Sequence, residues 1–297
     1  MGSLTGKVAV VTGASRGIGK GIALVLAEQG ATVYITGRTV KEGDYYLPGT
    51  VGATAEECTK RGAAEGGKGI AVACDHADND AVTALFEQVK REQGRLDILV
   101  NNAFQLSDDL ILPGGFWEKP LSNLEMWVVG VTSNYVAAWH AAQIMAPQGS
   151  GLIVAISGFV GVTYTYGVVF GTSKSAVDRM ARDMAIELEP HCVASVSLWQ
   201  GLTLTEKAKD NLAKMKGNMS KSITNMTGAS VEHPGRVIAA LAADPDVMKR
   251  SGGTFITTEL AMDYGITDVD GSVIPSARAT RGSPLWKPIS EVDYRGR

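Results

Sequence analysis

Three glycines near the start of the chain have the spacing Gly13-x-x-x-Gly17-x-Gly19. An apolar run of strand length, residues 8–11, precedes them, and an amphipathic helical pattern begins after them. Glycine lets the chain reverse sharply at Gly13 and lets the backbone approach a ligand closely at Gly17 and Gly19. The free N–H groups and the positive dipole end of the following helix favour an anion. The spacing therefore predicts a phosphate-binding turn between a strand and a helix.

The elements that would position this turn alternate between strand and helix along the chain. Seven strands are predicted at residues 8–11, 31–36, 69–75, 96–103, 151–157, 194–199 and 253–258. Their residues are mainly apolar rather than alternating in polarity, which is typical of a parallel sheet covered on both faces. We therefore expect an α/β fold, a single Rossmann-type doubly wound domain over residues 1–297, with a mainly parallel seven-stranded sheet and helices on both faces.

The segments between the strands divide into helices and irregular stretches. Helical spacing of apolar residues predicts helices near residues 54–61, 80–92, 125–145, 176–188 and 235–243. Glycine and proline interrupt residues 39–52 and 104–124, which are expected to form a surface insertion and a loop. Residues 202–230 are polar and rich in Lys and Met, which suggests a helical flap, and residues 268–297 form a C-terminal extension.

Composition excludes several classes of partner. The chain has 297 residues, 45% hydrophobic side chains and a net charge of -3 without a long basic run, which argues against nucleic acid. No interval of about 18 uninterrupted apolar residues suggests a membrane span, and the first strand begins too early to leave room for a signal peptide. The three cysteines and four histidines show no metal-binding spacing. We expect a cytoplasmic protein without a metal site.

Further motifs follow the glycine turn in a definite order. Asp75 follows the third predicted strand, Asn101-Asn102-Ala103 ends the fourth, Ser157 ends the fifth, and Lys174 lies in the next helix. Together with residues 12–19, these motifs resemble the short-chain dehydrogenase/reductase superfamily over most of the chain. Residues 34–38, 116–120, 196–199 and 268–271 are similar to the branch typified by dehydrogenase/reductase SDR family member 1.

The resemblance implies a nicotinamide dinucleotide cofactor and hydride transfer to or from a carbonyl or alcohol. It assigns the glycine turn to the pyrophosphate, Asp75 to the adenine, and Asn102 with Ala103 to the adenosine ribose. The full set of cofactor-binding residues that it implies is Gly13, Ser15, Arg16, Gly17, Ile18, Gly19, Arg38, Asp75, His76, Asn102, Ala103, Lys174, Gly201 and Leu202.

Arg38 indicates which dinucleotide is bound. It closes the second predicted strand, where NAD enzymes of this type commonly carry an acidic residue for the ribose hydroxyls. A guanidinium there, with Arg16 and Ser15 nearby, suits a 2'-phosphate because arginine presents a planar fork of donors. We therefore predict NADP(H) rather than NAD(H), against the alternative that Arg38 only solvates the end of the strand.

The expected proton donor is missing from the catalytic motif. The resemblance implies a Tyr four residues before Lys174, lowered in pKa by that ammonium, and a Ser thirteen residues earlier that holds the substrate oxygen. Counting back from Lys174 gives Phe170 and then Ser157. Phenylalanine has the ring without the hydroxyl, so it cannot donate a proton.

Three explanations remain open for Phe170. It is an engineered exchange, or the enzyme uses another donor, such as Tyr164, Tyr166 or a water held by Lys174, or the chain is a cofactor-binding pseudoenzyme or a non-redox catalyst. Two further departures from the superfamily, Phe104 after Asn-Asn-Ala and Gln200 before Gly201, favour natural divergence.

Aromatic residues are expected to form the substrate pocket. They fall on loops at the carboxyl ends of the predicted strands, where open α/β sheets bind ligands. These residues are Phe104, Phe159, Tyr164, Tyr166, Phe170 and Trp199. We predict a lipophilic or aromatic small-molecule substrate, and the resemblance implies a homodimer or homotetramer.

Overall fold

Seven parallel strands form one sheet in the order β3-β2-β1-β4-β5-β6-β7. The computed structural model describes residues 2–107, 114–214 and 228–292. The strands are β1 (Val8–Val11), β2 (Thr32–Gly37), β3 (Lys68–Ala73), β4 (Ile98–Asn101), β5 (Gly151–Gly158), β6 (Val193–Gln200) and β7 (Thr254–Ile256). All six strand pairs are parallel. The predicted α/β fold with a doubly wound seven-stranded sheet is confirmed.

Helices connect the strands and cover both faces. They are α1 (Gly17–Glu28), α2 (Val51–Gly62), α3 (Asn79–Gln93), α4 (Glu125–Trp127), α5 (Ser133–Gln148), α6 (Val168–Leu188), α7 (Glu206–Lys214), α8 (His233–Ala243), α9 (Thr257–Asp263) and α10 (Arg278–Arg281). The π-helical segment Val128–Thr132 joins α4 to α5, and π-helical turns often occur at functional sites. Within the described residues, no helix is both long enough and apolar enough to span a bilayer.

Two apolar cores lie on opposite faces of the sheet. On β1, Ala9 and Val11 pack into the core shared with α1 and α8, whereas Val8 and Val10 pack into the core shared with α3 and α5. Successive strand residues point to opposite faces, so both must be apolar when both faces are covered. This burial explains the uninterrupted apolar strands in the sequence.

Several element boundaries differ from the predicted ones. Helix α2 begins at Val51, inside the predicted irregular stretch, because the Thr50 hydroxyl accepts a hydrogen bond from the Ala53 N–H at 3.0 Å and caps the helix. Strand β7 ends at Ile256, since Thr257 already starts α9. Strand β4 ends at Asn101, which leaves Asn102 and Ala103 in the loop that follows. The polar residues that follow β4 therefore lie in a loop, whereas those that follow β7 lie in a helix.

The C-terminal extension packs along β7 and α6. The Thr254 N–H donates to the Trp286 carbonyl at 3.0 Å, the Ile289 N–H donates to the Ser251 carbonyl at 2.9 Å, and Arg182 Nη1 donates to the Lys287 carbonyl at 2.5 Å. Residues 293–297 lie outside the described residues. Of the predicted flap, α7 is helical as expected, and residues 215–227 also lie outside the described residues.

Candidate active site

The glycine turn is held against the carboxyl end of β4. The Thr12 hydroxyl accepts hydrogen bonds from the N–H groups of Asn102 and Ala103, each at 2.9 Å, and Asn102 Nδ2 donates to the Gly13 carbonyl at 3.0 Å. Gly13 has φ +64°, and a Cβ there would lie 2.8 Å from the Ala103 Cα. Only glycine fits this turn without strain, so the sharp turn predicted at Gly13 is present.

A carboxylate from α7 already lies at this cradle. The Gly17 N–H, at φ +58°, donates to Glu206 Oε2 at 2.9 Å. Helix α1 has no acidic residue in its first turn, and its N-cap, Arg16, makes no side-chain capping bond. The free N–H groups therefore attract a negative charge from elsewhere in the chain, as expected at an anion-binding helix N-terminus. Sequence spacing carried no signal for Glu206, which is 189 residues away from Gly17.

The two arginines expected near the adenosine have different surroundings. The Arg16 guanidinium donates to the Pro48 carbonyl at 3.0 Å and to Thr39 Oγ1 at 3.1 Å, and it lies 4.8 Å from the Tyr45 ring centroid. Arg16 thus holds the insertion before α2. Arg38, at the end of β2, is exposed and makes no hydrogen bond or ion pair with the described part of the chain.

The neighbouring adenine-side residues divide into exposed and buried ones. Asp75 is exposed, and its carboxylate accepts the Ala77 N–H at 3.0 Å. The His76 side chain is buried, with Nε2 2.7 Å from Thr36 Oγ1, and burial lowers the pKa of His76 to about 4. Ser15 is also buried. At neutral pH, His76 therefore adds no positive charge to this side of the site.

The predicted catalytic residues come together where β5 ends and α6 begins. Ser157 Oγ lies 3.3 Å from the Lys174 carbonyl oxygen, and Lys174 Nζ donates to the Ile156 carbonyl at 3.0 Å. The same ammonium lies 4.2 Å from the Phe104 ring centroid, and the Phe104 and Phe170 rings are 5.3 Å apart. The ammonium thus faces an aromatic layer at the place where the motif would put a phenol.

Burial strongly affects the two charged groups of this cluster. Loss of solvent lowers the pKa of Lys174 to about 8, although the Asp178 carboxylate opposes the change. Burial also raises the pKa of Asp178, against hydrogen bonds from Ser197, Trp199 and Ser157. The Ser197 hydroxyl lies 2.6 Å from Asp178 Oδ1. Both protonation states of Lys174 are therefore accessible near neutral pH.

Sequence reasoning missed Asp178. A carboxylate four residues after Lys174, on the helix face that carries Val177 and Ala181, is a readable signal, because a charge on an apolar helix stripe needs buried partners. Gly130, in the π-helical segment, also shapes this cluster. A Cβ on Gly130 would collide with the Phe104 ring, so this glycine makes room for the aromatic layer.

An aromatic and apolar cavity of about 450 Å³ adjoins the cluster. Tyr164 and Tyr166 line it, as expected, and the Tyr166 ring is 5.8 Å from the Phe170 ring. Phe159 and Trp199 do not line it. Their rings pack together at 5.2 Å in a buried cluster, and Trp199 Nε1 donates to Asp178 at 2.9 Å, so the prediction that they form pocket wall is replaced by a structural role.

The remaining predicted residues surround the site. Gly201 follows β6 and is exposed, and the Leu202 carbonyl accepts the Ala229 N–H at 2.9 Å. Ile18 packs partly against the core behind α1, next to Gly19. Among the described residues, no three His, Cys, Asp or Glu side chains cluster as a metal site.

Comparison with known proteins agrees with this geometry. The sequence profile described as short chain dehydrogenase matches residues 7–216. The chain is 41% identical over 280 residues to dehydrogenase/reductase SDR family member 1 of Mus musculus, covering 90% of this chain and 85% of that protein. It is 30% identical over 292 residues to 1-cyclohexenylcarbonyl-CoA reductase of Streptomyces collinus, covering 95% and 93%.

A solved structure shows the same fold. The short-chain type dehydrogenase/reductase from Mycobacterium marinum superposes with a TM-score of 0.70 at 28% identity, covering 85% of this chain and 94% of that one. The parallel sheet, the glycine turn and the extent of the profile match agree with one another. The chain belongs to the short-chain dehydrogenase/reductase family.

Proposed function

We propose that this oxidoreductase uses NADP(H) to transfer a hydride between the nicotinamide and the carbonyl or alcohol group of an apolar substrate. The observation that carries the proposal is the buried Lys174 ammonium beside Ser157, at the carboxyl end of β5 and next to an apolar cavity. The name of the Streptomyces collinus relative gives a coenzyme A thioester with a cyclohexenylcarbonyl group as its substrate. A cyclic apolar substrate is consistent with the aromatic cavity of this chain.

The glycine turn and Arg38 would hold the cofactor. The turn offers backbone N–H groups to a diphosphate, and the exposed guanidinium of Arg38 offers paired donors to a 2'-phosphate. A bound nicotinamide would supply or accept the hydride. Fluorescence titrations with NADPH and NADH test the preference: we expect tighter NADPH binding, and equal or tighter NADH binding would contradict it.

Lys174 would donate or accept the proton that a tyrosine phenol transfers elsewhere in the family. In the direction of reduction, an N–H bond of the ammonium breaks and an O–H bond forms on the substrate oxygen, directly or through one water. The resulting amine is then reprotonated from solvent. Ser157 would turn its hydroxyl from the Lys174 carbonyl and donate a hydrogen bond to the same substrate oxygen. The aromatic layer of Phe104 and Phe170 would exclude bulk water from the ammonium.

Consumption of NADPH with a panel of lipophilic and aromatic ketones tests this proposal. We expect turnover by the unaltered chain and a loss of about 100-fold or more in kcat for Lys174→Met, because the variant has no group to deliver the proton. Tyr166→Phe is the matched control, since it removes a phenol from the adjoining cavity. A comparable loss in Tyr166→Phe would assign the proton to Tyr166 instead.

Phe170→Tyr distinguishes an active enzyme from an inactive one. If the unaltered chain binds NADPH but is inactive, and Phe170→Tyr alone creates turnover, the chain is a cofactor-binding protein with a disabled redox site. We expect instead that the unaltered chain is active and that Phe170→Tyr changes the pH profile of kcat, because a phenol beside Lys174 would join the titration.

The proposed protein is a homo-oligomer of the cytoplasm. Tyr135 and Trp139 are exposed apolar residues one turn apart on α5, which supports a homodimer or homotetramer packed through that helix. All three cysteines are free, two of them buried and Cys192 exposed, which supports a reducing cytoplasmic environment.

A further inference from the structure

A second buried charge lies one helical turn beyond Lys174. Asp178 follows Lys174 by four residues on α6, and both side chains are buried. Residues with this spacing share one face of a helix, with their Cβ atoms about 5–6 Å apart. A buried carboxylate is unfavourable unless hydrogen bonds and an opposite charge replace its lost hydration. Asp178 therefore needs compensation from the groups around it.

The hydrogen bonds to Asp178 favour its ionised form. The Ser197 hydroxyl donates to Oδ1 at 2.6 Å, and Trp199 Nε1 donates to Oδ2 at 2.9 Å. An indole N–H can only donate, so Oδ2 has to act as an acceptor. Hydrogen bonds donated to a carboxylate stabilise its negative charge. Asp178 thus places a negative charge between α6 and β6.

Lys174 and Asp178 bind the ends of two neighbouring strands. Lys174 Nζ donates to the Ile156 carbonyl of β5 at 3.0 Å, whereas Asp178 accepts its two hydrogen bonds from β6. These strand ends are adjacent, because the sheet register pairs Ser157 with Trp199. Within the described residues the two charges form no direct ion pair, so their attraction acts through the protein interior, where the low dielectric constant screens it weakly.

Within the described part of the chain, the other ionisable groups around α6 have different partners or lie farther along the helix. Four elements that pack against the pair contain no Asp, Glu, Lys, Arg or His: β5, β6, the 3₁₀ turn Phe159–Gly161 and the π-helical segment. The remaining ionisable groups are Glu125, which bonds Gln105; His140, which bonds Thr83; Arg179, which bonds Asp183; Arg182, which bonds the Lys287 carbonyl; and, farther along α6, Glu187, Glu189, His191, Lys287 and Glu291. Asp178 is therefore the charge that acts on Lys174, and Lys174 is the charge that acts on Asp178.

We infer that Asp178 is the counter-charge of the Lys174 ammonium, a positioning residue that keeps Lys174 protonated and able to donate its proton. The link to proton donation rests on the proposed function, whereas the pairing of the two charges does not. A purely structural role, in which Asp178 only fastens α6 to β6, predicts instead that its charge has no effect on Lys174.

The pKa of Lys174 in the full chain, measured by NMR with isotope-labelled lysine, tests the inference. In Asp178→Asn we expect this pKa to fall by about 1, because loss of the opposite charge destabilises the ammonium. Asp178→Glu keeps a carboxylate and should retain most of the native value. Asp183→Asn is the matched control, since it removes a carboxylate from the same helix at a side chain that is 47% exposed, and it should leave the pKa of Lys174 unchanged.

Lys174→Met supplies the reciprocal measurement, which does not depend on the folding of Asp178→Asn. Because the interaction is mutual, the pKa of the Asp178 carboxyl should rise by about the same amount when the ammonium is absent. Circular dichroism checks that each variant is folded. An unchanged pKa of Lys174 in folded Asp178→Asn, or an unchanged pKa of Asp178 in Lys174→Met, would overturn the inference.

The pH profile of kcat separates this inference from the proposed function. If the Lys174 ammonium donates the proton in ketone reduction, the alkaline limb of the kcat profile should move to lower pH in Asp178→Asn, by the same amount as the pKa measured by NMR. A lower pKa of Lys174 without any change in the kcat profile would confirm the counter-charge and contradict the proposed role of Lys174 as proton donor.

Discussion

The contacts of the Lys174 ammonium determine how readily it releases a proton. Its ammonium is enclosed by the Ile156 carbonyl and the Phe104 ring, and it lacks the phenol that the family motif would place beside it. An ammonium in this setting keeps one strong hydrogen bond and one cation–π contact, but it loses most of its hydration. Because these two contacts replace only part of the lost hydration, the buried ammonium releases its proton more readily than an exposed lysine ammonium does.

The buried ammonium predicts a pH dependence of stability. The pKa of Lys174 falls from 10.5 to about 8 on folding, so the unfolded chain holds more protons than the folded chain between these values. The free energy of unfolding should therefore rise as pH increases from about 8 to 10.5, by on the order of 3 kcal/mol. Denaturant unfolding at several pH values, compared between the unaltered chain and Lys174→Met, measures this contribution.

Lys60→Met serves as the control for that experiment. The Lys60 side chain is 81% exposed, so its removal should leave the pH dependence unchanged. Tyrosines that titrate at high pH are common to all three proteins and cancel in the comparison. If Lys174→Met shows the same rise with pH as the unaltered chain, the buried ammonium does not cause it.

Some site residues were readable from sequence and others were not. Ser157, Phe170 and Lys174 follow a fixed spacing that the ends of β5 and α6 convert directly into proximity. Phe159 also follows β5, but its ring packs in the core. The sequence predicts that this residue follows a strand, but it does not predict the direction of the side chain.

At the scale of elements, the contact between α7 and α1 controls the cofactor site. Helix α7 starts at Glu206, and the Glu206 carboxylate accepts the hydrogen bond of the Gly17 N–H. A diphosphate bound at this turn requires the same N–H groups and is repelled by the carboxylate. If the cofactor binds at this turn as proposed, Glu206 has to move away from the Gly17 N–H.

Glu206→Gln should tighten dinucleotide binding about two- to fivefold, because the variant no longer presents a competing negative charge to the helix N-terminus. The Kd for NADPH, measured by fluorescence titration, tests this expectation. Glu28→Gln removes the same charge from an exposed position at the other end of α1 and should leave the Kd unchanged. Equal or weaker binding by Glu206→Gln would show that Glu206 does not compete with the cofactor.

The order of elements was predictable, but their contacts across the chain were not. Apolar strands that alternate with amphipathic helices identify a parallel sheet, because few other folds bury both strand faces. The observed start of α2 differs from the predicted start because the Thr50 side chain caps the helix. The approach of α7 to α1 depends on tertiary packing and has no periodic signal in the sequence.

At the scale of the whole molecule, the α4–α5 helix presents exposed apolar side chains that fit the proposed oligomer contact. Tyr135 and Trp139 are four residues apart on α5, so they lie on one helix face. Trp139→Glu should convert the proposed oligomer to a smaller species in light scattering, because a charge would be buried at the interface.

Met262→Glu is the control for the assembly experiment, since Met262 is similarly exposed on α9, near β7. It should leave the mass unchanged. An unchanged mass in Trp139→Glu together with dissociation in Met262→Glu would place the interface at β7 instead of at the α4–α5 helix.

The hydrogen bond between the Thr254 N–H and the Trp286 carbonyl has a consequence for how copies of the chain meet. Strand β7 is the last strand of the sheet, and the C-terminal extension occupies its outer edge. An uncovered edge strand is a template on which another chain can add a strand. With this edge covered, a second copy cannot lengthen the sheet at β7, and association on that side is restricted to side-chain packing between helices and loops.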